Sequence, residues 1–246
     1  MKNGKKIIAV LPAYNAEKTL RLTLGDIPEG WVDEIILVDD ASTDNTVKLS
    51  RKLGLYTIIH PYNRGYGGNQ KTCYMTAINH GADVVIMVHP DHQYDPSLIP
   101  EMLEPIINGD YDAVFGSRML DQGGALRGGM PRWKYVSNKF LTFLENIILK
   151  LKLTEYHSGF RAYSRRLLET VKYQENSDDF VFDTEIIVQL KIHHFRVKEI
   201  AIPTRYFKEA SSVGLRRSII YGLSIVMVMG QYLLHKMWVK RFVKFT

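Results

Sequence analysis

KIIAVLPAYNAEKT, residues 6–19, passes from an apolar run, Lys6 to Leu11, into a polar turn that opens a helical stretch from Ala16 to Gly25. A run this short, closed by Pro12, reads as a buried strand. The unit then recurs. Apolar runs at Glu34 to Asp39, Leu55 to His60, Asp83 to His89 and Asp112 to Ser117 alternate with helical stretches at Thr43 to Leu53, Gly67 to His80 and Pro96 to Asn108. That alternation predicts an α/β fold, a parallel sheet with helices on both faces. Ligands of such sheets bind at the carboxyl ends of the strands, and four of these ends are polar. They read LPAYNAEKT (11–19), VDDASTDNT (38–46), HPYNRGYGG (60–68) and HPDHQYDP (89–96), four loops on one rim.

After residue 118 the pattern loosens. DQGGALRGGMPR (121–132) reads as a mobile glycine-rich loop with two arginines, followed by a basic amphipathic helix over 134–152. SGFRAYS (158–164) reads as a short strand, Phe182 to His194 as a helix and Val197 to Pro203 as another strand. No repeat or linker divides the chain. Ile219 to Leu234 is an apolar run of about 16 residues, flanked by Arg216 and Arg217 before it and by Lys236, Lys240, Arg241 and Lys244 after. A spanning helix needs about 20 residues, so the run is expected to lie in a membrane interface, pack on a partner or form a core helix. Its flanks favour an anionic leaflet.

Composition bounds the function. With 246 residues, 46% of them apolar, the chain is long enough for a large core and is no disordered tail. Its net charge of +6 suits an anionic ligand or membrane surface and is too weak to argue for nucleic acid. The single cysteine, Cys73, makes no internal disulfide or thiolate cluster, which fits a reducing compartment, the cytoplasm by default. The start, MKNGKKIIAV, lacks a cleavage-type site, so no signal peptide is expected.

Three motifs carry chemistry. In HPDHQYDP, His89, Asp91 and Gln93 alternate along an extended segment and so share a side. An imidazole, a carboxylate and an amide oxygen can hold a divalent cation that also touches phosphate oxygens; the same stretch can also be a plain turn in which Asp95-Pro96 starts a helix. In VDDASTDNT, Asp39, Asp40 and Asp44 can accept from a ribose hydroxyl or a base N–H, while Ser42 and Thr43 can cap the following helix. NRGYGGNQK does not complete G-x-G-x-x-G, because position 70 is glutamine, and a P-loop is absent too. Arg64 and Lys71 can still face a pyrophosphate as point charges, or merely form a solvated helix start. G-x-S-x-G is absent, against a serine hydrolase.

In this order, LPAYNAEKT, VDDASTDNT, NRGYGGN, HPDHQYDP, GSR (116–118) and SGFRAYS resemble glycosyltransferase family 2 enzymes of the GT-A fold. The resemblance is to the dolichyl-phosphate mannose synthase and polyprenyl-phosphate glycosyltransferase-like branch, over about residues 5–205. It implies a mixed, mostly parallel, Rossmann-like sheet with C-terminal amphipathic or apolar helices. The catalytic domain would be 1–213, with a donor half of about 1–118 and an acceptor half of about 119–213. Residues 214–246 would be an apolar helix with basic flanks, for membrane-surface or oligomer contact.

The resemblance also implies a site. Pro12, Ala13, Tyr14, Asn15 and Glu17 would line base and ribose, Asp40 would read the base edge, and Arg64 and Lys71 would lie near the diphosphate. His89, Asp91 and Gln93 stand where the family has D-x-D-x-Q, with His89 in place of the first aspartate; the cofactor would be Mn2+ or Mg2+. Asp91, Arg118 and Glu155 would be catalytic. Arg127, Arg132 and Ser137 would bind the acceptor, joined by Arg205 or Lys208 from RYFKEASSV, where relatives carry G-x-S-K. The implied reaction is inverting transfer from a UDP- or GDP-linked sugar to a polyprenyl or dolichyl phosphate, by a protein held peripherally on the cytoplasmic face of a membrane. Two alternatives stay open. One is a glycan or hydroxylated-lipid acceptor, which needs a general base such as Glu155, with His157 close by; the other is a non-catalytic nucleotide-sugar-binding module with a decayed metal site.

Overall fold

The structure, a computed structural model, describes residues 1–121, 123–203 and 214–246. Arg205 and Lys208 therefore lie outside the described residues. The strands are β1 (Ile7–Ala13), β2 (Glu34–Asp39), β3 (Tyr56–Ile59), β4 (Val84–Met87), β5 (Ala113–Ser117), β6 (Arg161–Ser164) and β7 (Val197–Ala201). The α-helices are α1 (Leu20–Gly25), α2 (Thr46–Lys52), α3 (Gly65–Asn79), α4 (Ile99–Ile107), α5 (Gly124–Arg127), α6 (Arg132–Leu149), α7 (Arg165–Thr170), α8 (Phe182–Ile192) and α9 (Leu215–Lys236).

The strands form one sheet in the order β3-β2-β1-β4-β6-β5-β7. Pairing is parallel from β3 to β4 and between β5 and β7; β6 alone runs against both of its neighbours. The sheet is thus mixed and mostly parallel. Its inner strands are apolar on both sides because helices cover both faces. Along β1, Ile8 and Val10 enter a core shared with α3, α8 and α9, while Ile7, Ala9 and Leu11 enter the core under α1 and α4. Because β5, β6 and β7 complete the sheet begun by β1–β4, the two halves of the chain share one continuous core layer.

Three expectations change here. Ser42 and Thr43 do not cap α2: Ser42 Oγ accepts from the Asn15 N–H at 2.8 Å, and the Thr43 N–H donates to Asn15 Oδ1 at 2.8 Å. Asp44 Oδ1 accepts from the Thr46 N–H instead. The C-terminal helix is also longer than its apolar run, because Arg216 to Ser218 and His235 to Lys236 continue it. At about 1.5 Å per residue, its 22 residues extend roughly 33 Å, enough to cross a bilayer. Yet Ile225, Val228, Met229 and Tyr232 are buried in the domain core, so one stripe of α9 belongs to the folded domain. Helix α6 packs beside it and ends at Leu149, where Lys150 turns left-handed, short of the expected 152. Outward, α6 exposes Val136, Phe140, Phe143 and Ile147, and α9 exposes Ile219, Ile220, Leu223, Val226 and Met227.

Candidate active site

Loops after β1 and β2 lock together at the carboxyl edge. Asn15, in a left-handed conformation at φ 52°, bridges to Ser42 and Thr43, and the Glu17 carboxylate accepts from the Asn45 backbone and side chain. Asn15 and Glu17 therefore shape this loop pair, beside half-buried Pro12, buried Ala13 and exposed Tyr14. Asp40 faces inward: its carboxylate accepts from the Arg64 and Gly65 N–H groups at 2.8 and 3.0 Å and meets His60 Nδ1 at 2.7 Å. At the end of β2 it is Asp39 that keeps a buried oxygen, Oδ1, without a hydrogen-bond partner.

At the start of α3 the backbone donors are already taken, although Arg64 itself is exposed. The Asp178 carbonyl accepts from the Gly67 and Gly68 N–H groups, so together with Asp40 the protein itself satisfies donors that a helix N-terminus leaves open. A Cβ on Gly67 would overlap the Ser177 carbonyl and the Phe182 side chain; glycine there admits the 177–178 segment. Lys71 is buried against that segment, with Nζ donating to Asp178 and to the Asn176 carbonyl. Arg64 reaches Thr72 Oγ1 at 3.3 Å.

Beyond β4 the chain opens into a cavity of about 240 Å³. His89, Asp91 and Gln93 line one wall and Arg118 and Asp183 others; α6 supplies Lys134, Ser137 and Asn138, and α9 supplies Ser218 and Tyr221. The His89 ring stacks on Tyr66, 5.7 Å between centroids and 6° from parallel. It also presses on Gly159, where a Cβ would come within 2.5 Å of Nε2. Burial, opposed by Asp91, pushes His89 below the usual imidazole range, so it is neutral near pH 7, and its buried Nε2 has no hydrogen-bond partner. Asp183 accepts from Tyr66 at 2.8 Å and Gln70 at 3.3 Å.

Arg118 is fixed from behind. Glu155 accepts from its backbone N–H at 2.7 Å, from Nε at 2.8 Å and from Nη2, and Asn138 Nδ2 donates to the same carboxylate at 2.8 Å. Burial alone would raise Glu155, but Arg118 outweighs it and holds the carboxyl below its ordinary value. Glu155 does not line the cavity, so its position is that of an anchor for Arg118 rather than of a base facing a substrate. His157 does line it, and burial lowers its pKa to about 3. Burial also raises Glu145 well above the carboxylate range, so the 3.3 Å approach of Glu145 to His157 joins two neutral groups.

Of the residues picked from sequence, the cavity gathers His89, Asp91, Gln93, Arg118 and Ser137. Arg132 is exposed at the first turn of α6, and exposed Arg127 pairs with Asp121; neither lines the cavity. Lys134, Asp183 and Tyr221 were not foreseen. The spacing 134, 137, 138, 141 on an amphipathic helix is the signal that could have found the first of these, since it marks one face of α6.

A divalent cation fits the β4 edge in a restricted way. Among the described residues, no three His, Cys, Asp or Glu side chains converge to enclose one. The unpartnered His89 nitrogen, the Asp91 carboxylate and the Gln93 amide, all on the cavity wall, would offer a mixed nitrogen and oxygen set, suited to Mn2+ better than to Mg2+.

Comparison with known proteins agrees with this geometry. The sequence model of glycosyl transferase family 2 matches residues 8–172. An uncharacterized protein of Methanocaldococcus jannaschii is 30% identical over 91% of the chain and 90% of its own length. A UDP-N-acetylglucosamine–dolichyl-phosphate N-acetylglucosaminyltransferase of Methanococcus voltae is 29% identical over 85% of the chain and 90% of its own length. In structure, glucosyl-3-phosphoglycerate synthase of Mycobacterium tuberculosis, solved with Mn2+, UDP and glucosyl-3-phosphoglycerate, superimposes with a TM-score of 0.71 at 19% identity, over 95% of this chain and 80% of that one. The reversed strand between β4 and β5, the polar strand ends and the family match lead to one conclusion: the chain belongs to glycosyl transferase family 2 and is a glycosyltransferase of the GT-A fold.

Proposed function

We propose that the chain moves a sugar from a nucleoside-diphosphate donor, UDP-linked by analogy with the M. voltae relative, to a lipid-linked phosphate at the cytoplasmic face of a membrane. One observation carries the reading: α6 has two working faces. It turns Lys134, Ser137 and Asn138 into the cavity, and it turns Val136, Phe140, Phe143 and Ile147 outward beside the exposed apolar residues of α9. An acceptor headed by phosphate and tailed by hydrocarbon matches that division. Basic residues at both ends of α9, Arg216, Arg217, Lys236 and Lys240, favour an anionic surface. Peripheral seating is preferred to crossing, because crossing would pull Ile225, Val228 and Met229 out of the core.

In this reading the nucleoside lies over Pro12, Ala13 and Tyr14, with Asp39 Oδ1 the open acceptor for a ribose or base donor. His89, Asp91 and Gln93 would hold Mn2+ or Mg2+, which would supply charge neutralisation for the departing diphosphate. Arg118 faces the sugar and phosphates. The acceptor phosphate is already anionic at neutral pH, so Lys134 and Ser137 need only place it. A phosphate oxygen attacks the anomeric carbon while the bond to the diphosphate oxygen breaks, and the anomeric configuration inverts. This suits a cavity whose His157 is neutral, whose Asp183 already accepts two hydrogen bonds, and behind which Glu155 is clamped to Arg118.

The test is a transfer assay with labelled UDP- and GDP-sugars, with and without Mn2+, on vesicles containing polyprenyl phosphate or the corresponding free polyprenol. Mn2+-dependent transfer to the phosphate form alone is expected. Transfer to the alcohol, or donor binding without turnover on any acceptor, would overturn it.

A further inference from the structure

At the far end of α6 from the candidate site, three helices stop together: α6 at Leu149, α8 at Ile192 and α9 at Lys236. Between their ends lies a second cavity, of about 420 Å³. Within two residues of each end the backbone turns left-handed, at Lys150 (φ 57°), His194 (φ 57°) and Trp238 (φ 61°). Helix ends of this kind usually fall to glycine or asparagine, since a Cβ crowds the backbone there. Here a lysine, a histidine and a tryptophan hold the three positions, and all three line the cavity. Lys191, Lys236 and Arg241 line it too, and no acidic side chain does. The Arg241 guanidinium lies over the Trp238 indole, 3.6 Å from the ring centroid.

Cations near helix C-termini complement the helix dipole, which accounts for one per end. The dipole does not account for a fourth cation, Arg241, which lies beyond α9 and closes the same hollow, nor for side chains kept where glycine is easier. We propose that this cavity is a second anion site, taking a phosphate group between Lys150, Lys191, Lys236 and Arg241. Exposed Phe143 and Ile147 on α6, Leu233 and Leu234 on α9 and Met237 just past it lie toward the same helix ends, so a phosphate attached to a membrane lipid suits the position as well as a free one. The site is separate from transfer chemistry and stands whatever the acceptor is.

The experiment compares wild type, K150G/K191Q, K236Q/R241Q and K48Q/K52Q. The last removes the same charge from exposed lysines that do not line the cavity. Lys150→Gly relieves a left-handed position, so that variant should fold at least as well as wild type, checked by thermal unfolding. Binding is read by flotation with phosphatidylcholine vesicles with and without phosphatidic acid, and by calorimetry with pyrophosphate. About tenfold weaker binding in both cavity variants, with less than twofold change in K48Q/K52Q, is expected. A loss confined to phosphatidic acid vesicles assigns a lipid phosphate, and a loss with pyrophosphate assigns a soluble one. Equal effects in all three variants, or none, would overturn the proposal.

Discussion

Replacing Glu155 with glutamine keeps the shape of the side chain and removes its charge. In the native protein that carboxylate accepts from the Arg118 backbone, from two Arg118 guanidinium nitrogens and from Asn138, with no exposure to solvent. Breaking a buried ion pair by removing one partner costs about 3–5 kcal/mol, and a glutamine that retains one acceptor oxygen should fall near 3 kcal/mol. For a chain of this size, that is a fall in Tm of roughly 6–12 °C at neutral pH. The sign with pH follows from Arg118 holding Glu155 below its ordinary value. The stabilisation is fully present above the unfolded glutamate pKa of about 4.3 and is lost as pH falls through the lower folded value. The gap in Tm between wild type and E155Q should therefore be full at pH 7 and close only in stronger acid. Circular dichroism melts across pH, run beside kcat measurements, test this. An E155Q protein within about 2 °C of wild type at pH 7 but with collapsed kcat would refute the clamp and restore Glu155 as a base.

Gly159→Ala should push His89 off its stacked position, since a Cβ would lie 2.5 Å from Nε2; Mn2+-dependent UDP binding should weaken more than tenfold in calorimetry, while UDP binding without metal changes little. Lys134→Met should raise KM for the acceptor phosphate about tenfold, an effect of about 1.4 kcal/mol, and leave donor affinity unchanged in steady-state kinetics. His157 has its folded pKa lowered to about 3, so the unfolded state binds its proton first as pH falls; native stability should decline from about pH 6.5 toward pH 3, and His157→Gln should flatten that slope in urea titrations. Val136→Glu with Phe140→Glu should abolish flotation with anionic vesicles without lowering Tm by more than about 2 °C, because both positions face outward.

The first four strands were legible because each is an apolar run closed by Pro or Asp, and the fifth because its apolar run passes into the polar Ser117 and Arg118. Period-two burial carries no direction, so nothing in SGFRAYS announced that β6 would run backwards between β4 and β5. The cluster at His89, Asp91 and Gln93 was legible because it is local. Asp183 and Tyr221 reach the same cavity from α8 and α9, and no spacing rule links them to β4. NRGYGG is hard to read for a related reason: glycine marks a close approach but not by what, and here the visitor is the protein's own 177–178 segment. Glu155 stood out as the acidic residue just before SGFR, but its orientation depends on Asn138 and Arg118, both distant in sequence.

The reversed strand also sets a timetable. While the chain is being made, β4 has β1 on one side and an open edge on the other, because its second neighbour, β6, is roughly 75 residues away. At about 5–20 residues per second, that edge stays bare for roughly 4–15 s of synthesis. An unpaired apolar strand is a template for pairing with other chains. Residues 1–118 would therefore be the aggregating species if translation stalled, and a nascent-chain helper would gain most by acting before Ser164 emerges.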